Sequence, residues 1–280
     1  MLLSQQGGAV DPEVVKNLRV KLGLDQPLWT QYLKAMGGML QGDLGNSMRD
    51  GTPVAQQIAI RLPRTLELIG AAGLIAVLLG VPLGMLAAVN RGGWVDRLIS
   101  QVAGLALAVP VFVVGTLLVM LFAQTLRWVP AGGFVPFRDN PAQHLILLMM
   151  PALSIALGLA AMITRMTRTA MLDVLSRDFV RTARAKGLSG RTILIHHVLR
   201  NALAPVVTVL ALHLGALLGG TVLVEFVFNW PGLSGFLVSA VSARDYPEVV
   251  GIILVISTLF VLLNFLVDII YVLLDPRVRQ

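Results

Sequence analysis

The 280-residue sequence predicts an all-α polytopic membrane protein, and three observations carry that prediction. Hydrophobic residues make up 56% of the chain and charged ones only 13%, against about 25% charged in an ordinary soluble domain. Five stretches are long and apolar enough to cross a hydrocarbon core about 30 Å thick. Basic residues then fall on alternate connecting segments, as lysine and arginine do on the cytoplasmic side of short loops.

The same composition excludes several classes. A chain this apolar does not stay disordered. With no cysteine there is no disulfide framework, thiolate metal site or cysteine nucleophile. The net charge of +7 would suggest nucleic acid in a soluble protein. Here it bears on membrane orientation, and no nucleic-acid partner is expected.

The head of the chain, residues 1–65, reads as an extramembrane helical segment. Asp11-Pro12-Glu13 opens a helix with an N-cap acceptor, a first-turn proline and an acid, and Val14, Val15, Leu18 and Leu22 share a face. Pro27–Leu40 gathers Leu28, Tyr32, Leu33 and Met36 on another. Gly42-Asp43-Leu44-Gly45 reads as a turn, and Thr52-Pro53 starts a helix toward the first span. Packing on the membrane surface and docking an external partner are both compatible with this segment.

The spans follow. Leu68–Val89, Leu98–Leu126, Leu145–Thr164 and Asn201–Val224 carry no Asp, Glu, Lys or Arg, and Val249–Leu274 carries only Asp268. Pro110, Pro151 and Pro205 lie inside spans, where packing kinks are favoured over gating hinges. His213 lies mid-span, either as a neutral imidazole bonded across helices or as a residue of a solute pathway. Asn264 and Asp268, one turn apart, could form a polar pair. Glu67, Glu225 and Asp268 lie near span ends, where snorkelling or a headgroup contact is expected. The adjacent His196 and His197 point about 100° apart on a helix, poor geometry for one metal.

Segments 90–97 and 165–200 and the tail with Arg277 and Arg279 hold twelve basic residues, against three in the two alternating loops. That places 90–97, 165–200 and the C-terminus in the cytoplasm and residues 1–65 outside. Nothing in Met1–Val10 resembles an export signal, so a preceding span is expected to be missing from the sequence as given. The rival is a head that stays inside with the orientation rule broken.

The chain has no Gly-Lys dipeptide, hence no phosphate loop of the G-x-x-x-x-G-K type, and is not expected to hydrolyse ATP alone. The informative segment is 165–200, a long basic amphipathic loop. A helix Ser176–Lys186 can end at Gly187, and after Ser189-Gly190 a second helix, Thr192–Leu203, leads into the next span. A docking handle and an anionic-lipid contact fit it equally.

RTARAKGLSGRTILIHHVLRNALAPVVT resembles the cytoplasmic EAA-type loop of ABC importer permeases. RLPRTLEL (61–68), EFVFNWPGL (225–233), RDYP (244–247) and LVDIIYVLLDPRVR (266–279) are similar to the B-type subunit of the dipeptide/oligopeptide/nickel class, in order along the chain. Aligned on Gly187, the E-A-A positions hold Arg181, Thr182 and Ala183, so the family's glutamate is absent.

The resemblance implies the type I ABC importer permease fold, with six spans in the family and five here. It implies a coupling loop of Arg181, Thr182, Ala183, Arg184, Ala185, Lys186, Gly187 and Leu188. It implies a transmembrane domain at 66–280 in a bacterial or archaeal cytoplasmic membrane. The implied partners are a second homologous permease, two ABC ATPase subunits and an extracytoplasmic solute-binding protein, besides membrane lipid. ATP and Mg would be used by the ATPases, with no cofactor or metal on this chain and no catalytic residue. Peptides lead as solute, with nickel chelates and glutathione as alternatives. His213 and Asn264 are candidate pathway residues. The loop 229–247 is expected to fold back as a short helix, as a gate, a receptor contact or simple packing. The competing class, an ion-coupled secondary transporter, would show paired intramembrane acids or an internal repeat, and neither is evident.

Overall fold

A computed structural model describes Glu13 and residues 25–274, side chains at 35, 267, 268 and 270–274 excepted. The expected helix after Asp11, the Asp268 carboxylate and the basic tail lie outside the described residues. Among the described residues the chain is helical, with no strand beyond one bridge, Asn46 to Pro53.

Helix α1 is Leu28–Leu40. α2, Val54–Val89, starts after Pro53 and runs unbroken through the expected first span. α3 is Trp94–Ala108 and α4 is Val111–Leu118, continued by a wider π-type turn, Val119–Thr125. α5, Pro141–Leu175, begins at Asn140, whose side chain accepts the Gln143 N–H. The loop helix α6 is Asp178–Ala185. α7, Arg200–Gly220, is preceded without a break by Gly190–Thr192 and a π-type stretch, Ile193–Leu199. α8 is Val222–Val227, α9 is Leu233–Ala243 and α10 is Tyr246–Leu274.

Four helices are long and apolar enough to cross a membrane, and the pair α3 and α4 qualifies together but is bent by 98°. The break falls at Val109-Pro110, both in extended conformation. A residue before proline is pushed out of the helical region, and the proline has no N–H to continue the ladder. Pro151 and Pro205 sit inside unbroken helices.

The bent pair still makes one full crossing. Glu67 meets His144, a Cβ on Gly80 would meet Ala160, and one on Gly84 would meet Thr164 and Thr167. Contact positions rise together, so α2 and α5 run parallel and the chain between them must return the whole length of the bundle. It does: Asp96 bonds Arg168 at one end, and Phe134 stacks edge-on against His144 and Trp230 at the other. The described bundle therefore has five crossings, with the α6 loop at one end, the basic end.

Close approach holds α2 to α5. Leu68, Ala72 and Ala76 pack on Leu148, Ala152, Ile155, Ala156, Leu159, Ala160 and Ile163. A Cβ on Gly84 would sit 2.6 Å from the Thr164 carbonyl oxygen, so only glycine allows this separation. Such contact matters where lipid removes the hydrophobic drive between helices.

Candidate functional site: the basic loop and the opposite end

At the basic end, α5 turns at Ser176 into the eight-residue α6. Val180 and Ala183 face inward and join Ala170, Met171, Val174, Ile193, Val198 and Ala202 in a small core. These two side chains hold the loop against the bundle. Gly187 ends the helix in the left-handed region, φ +78, while Gly187 N–H bonds the Arg184 carbonyl and Leu188 N–H the Ala183 carbonyl. That is the cap the glycine allows at little cost. Ser189 accepts the Thr192 N–H and starts the next helix.

Of the candidate residues, Arg181, Thr182, Arg184, Ala185, Lys186, Gly187 and Leu188 are exposed, and Ala183 is buried. Arg181 reaches Asp178 only at 3.9 Å on open surface, an interaction worth little. The loop thus presents cations with almost no internal partner. One other ion pair stiffens its base: Arg168 forks onto Asp96 at 2.6 and 2.8 Å, and Asp96 also accepts the Gly92 N–H. The second loop helix starts at Gly190, ahead of the expected Thr192, because the serine cap precedes it.

The opposite end is built differently, and the sequence reading missed most of it. Glu225 does not snorkel. Its carboxylate is buried and accepts from Thr65 Oγ1 at 2.9 Å, Thr221 Oγ1 at 3.0 Å and Gly235 N at 2.7 Å. Burial pushes this carboxyl above the ordinary range, opposed by those hydrogen bonds. Thr65 also accepts the Leu233 N–H, so one knot pins α2, α8 and α9. Glu67 stays partly exposed but reaches in to His144 Nε2 at 2.7 Å, while Nδ1 of that buried ring meets the Val135 carbonyl at 2.7 Å. Trp230 donates to the Arg64 carbonyl, and the 229–247 loop folds back as α9, as expected.

Asp245 makes a third knot. It accepts from Ser47 Oγ, Met48 N and Arg49 N, clamping the segment before α2 to the start of α10. Between these elements lies an open cavity of about 890 Å³, with Arg49, Arg61, Trp230, Phe236 and Glu248 in its wall.

Midway along, His213 on α7 is half-buried and has no hydrogen-bond partner among the described residues, so the expected bond across helices is not made. Asn264 bonds back to the Phe260 carbonyl of α10. Gly215 packs on Phe260, so both polar residues lie at similar depth on adjoining helices.

The family model for the binding-protein-dependent transport system inner membrane component matches residues 80–280. The chain belongs to this family. It is an ABC importer permease, a non-catalytic transport subunit of the inner membrane. Among its relatives, the Escherichia coli K12 glutathione transport system permease protein GsiC is 42% identical over 273 residues, 98% of this chain and 87% of that one. A putative peptide transport system permease of Brucella abortus is 43% identical, and a probable peptide ABC transporter permease of Sinorhizobium fredii is 40% identical, both over the same shares. The permease also shares its fold with an inward-facing form of the MetNI methionine ABC transporter: TM-score 0.66, 18% identity, 79% of this chain and 97% of that one. An amino acid ABC transporter crystallised with histidines superposes at TM-score 0.55 and 14% identity, over 79% of this chain and 94% of that one.

Proposed function

We propose that this permease carries a peptide-class solute, with the basic end in the cytoplasm and residues 1–65 outside. In this reading the segment Arg181–Leu188 is the coupling element that an ABC ATPase subunit grips, and ATP and Mg act on that partner. A second, homologous permease completes the pore, and the end bearing Glu225 and Asp245 receives a solute-binding protein. His213 and Asn264 line the pathway. The carrying observation is the α6 loop: two side chains pin it from within, and its cations and Leu188 are exposed. The peptide assignment leans on the peptide and glutathione names of relatives at 40–43% identity.

The test is Gly187→Val in the complex assembled with its co-encoded subunits in proteoliposomes. Nothing lies within 4 Å of a Cβ at this position, so the bundle is expected to persist while the loop loses its cap. Expected is loss of solute-stimulated ATP hydrolysis or of ATPase binding. Survival of both, or uptake driven by an ion gradient without ATPases, sinks the coupling assignment. Uptake of labelled dipeptide, glutathione and nickel chelate in parallel separates the solutes.

A further inference from the structure

We propose that α1 is an interfacial helix whose apolar face rests in the lipid headgroup region around the end of the bundle opposite the basic loop. At 100° per residue, Leu28, Met39, Tyr32, Met36, Trp29, Leu40 and Leu33 fall within one arc of about 140°. Six of these seven are exposed, Leu28 and Leu40 by more than four-fifths, and Trp29 and Tyr32 stack at 6.0 Å. The polar side lies opposite: Thr30 and Gln31 are half-buried, Lys34 is exposed and donates from Nζ to Gln26 Oε1, and a Cβ on Gly37 would meet open space. A helix packing its apolar face on its own bundle would show the reverse.

The position of α1 names what covers that face. Its C-terminal turn is fixed by Asp43 N–H bonding the Gly38 carbonyl, and Leu44 and Gly45 then sit on Gly251 and Pro247 in the first turns of α10. The apolar stretch of α10 begins there at Val249, and Gly251 within it lies beside Val54 and Ile58 in the first turns of α2. Tyr246, Val250 and Ile253 of α10 and Ile60 of α2 are exposed there, so the outward face of α1 continues the lipid-facing belt at its rim. The face has no charged side chain. Tryptophan and tyrosine partition to this depth, and an amphipathic helix with a Trp-bearing apolar side lies in the interface plane.

The sequence has no cysteine, so each variant carries one thiol on this chain, and the co-encoded subunits are used with their cysteines replaced. The full chain, assembled with its co-encoded subunits, is reconstituted in phosphatidylethanolamine–phosphatidylglycerol vesicles. Nitroxide goes at Leu28→Cys, Tyr32→Cys and Met36→Cys on the face, at Thr30→Cys and Lys34→Cys behind it, and at exposed Asp50→Cys as a folded-rim control. Expected is an oxygen-to-nickel-chelate accessibility ratio that is high at 28, 32 and 36 and low at 30, 34 and 50. Equal ratios around the helix overturn the proposal. So does an apolar face shielded from both reagents, which would mean another protein surface covers it.

Discussion

The two ends of this permease use polar side chains in opposite ways. At the end with Glu225, Asp245 and the Glu67–His144 pair, acids are consumed inside the molecule, holding segments far apart in sequence. At the basic end, the cations of Arg181, Arg184, Lys186 and Arg191 face water, and the loop hangs on Val180 and Ala183. The first end spends its hydrogen-bonding capacity on itself, because an unpaired buried carboxylate is costly. The second leaves its cations exposed, where the proposed ATPase contact would use them. Substitutions at the knotted end should therefore cost stability, and those on the loop should cost assembly.

The largest effect is expected from Gly232→Ala. A Cβ there would overlap the Glu225 carboxylate and lie 2.6 Å from Thr65 Oγ1. Overpacking on this scale costs about 3 kcal/mol, read as a lower melting temperature in detergent. An unchanged melt would mean the knot is soft and the contrast between ends is overdrawn.

Glu225→Gln comes next, at about 2 kcal/mol. The amide has one acceptor oxygen for two threonine hydroxyls, and its NH₂ would face the Gly235 N–H. The pH dependence sharpens this. Because burial raises the Glu225 carboxyl, the folded chain holds that proton more tightly than the unfolded one. Its contribution is complete below the ordinary carboxylate range and is lost as pH rises through the raised value. Wild type should lose this increment of melting temperature with rising pH, and the Gln variant should not.

Smaller still is the stability cost of Gly187→Val, about 1 kcal/mol, since only the left-handed backbone opposes the side chain. Each of Arg181→Ala, Arg184→Ala and Lys186→Ala should stay within about 0.5 kcal/mol. The triple variant should nonetheless weaken ATPase co-purification, most visibly at low salt, where the wild-type cations are least screened. A large drop in melting temperature for any of the three would show that the loop is held from outside as well.

What the sequence revealed follows the reach of each interaction. The Gly187 cap, the turn at Gly42–Gly45 and the fold-back of 229–247 were legible because their partners are within a few residues. Glu225 and Glu67 were misread as snorkelling side chains because Thr65 lies 160 positions from one and His144 77 from the other. Hydroxyls and backbone donors carry no mark in a sequence that says which carboxylate they will meet. His213 shows the converse, a mid-span imidazole that makes no interhelical bond among the described residues.

The sequence by itself determined that this is a bilayer protein with five apolar stretches of spanning length and its positive charge biased to alternate connecting segments. Hydropathy and charge bias accumulate along the chain and are judged against lipid, not against other residues. Only the tertiary structure decided that Pro110 breaks a crossing while Pro151 and Pro205 are absorbed, and that the acids of the far end turn inward. Those outcomes depend on which neighbours can satisfy a freed carbonyl or a buried carboxylate, and neighbours in space are set by the packing of α2 on α5.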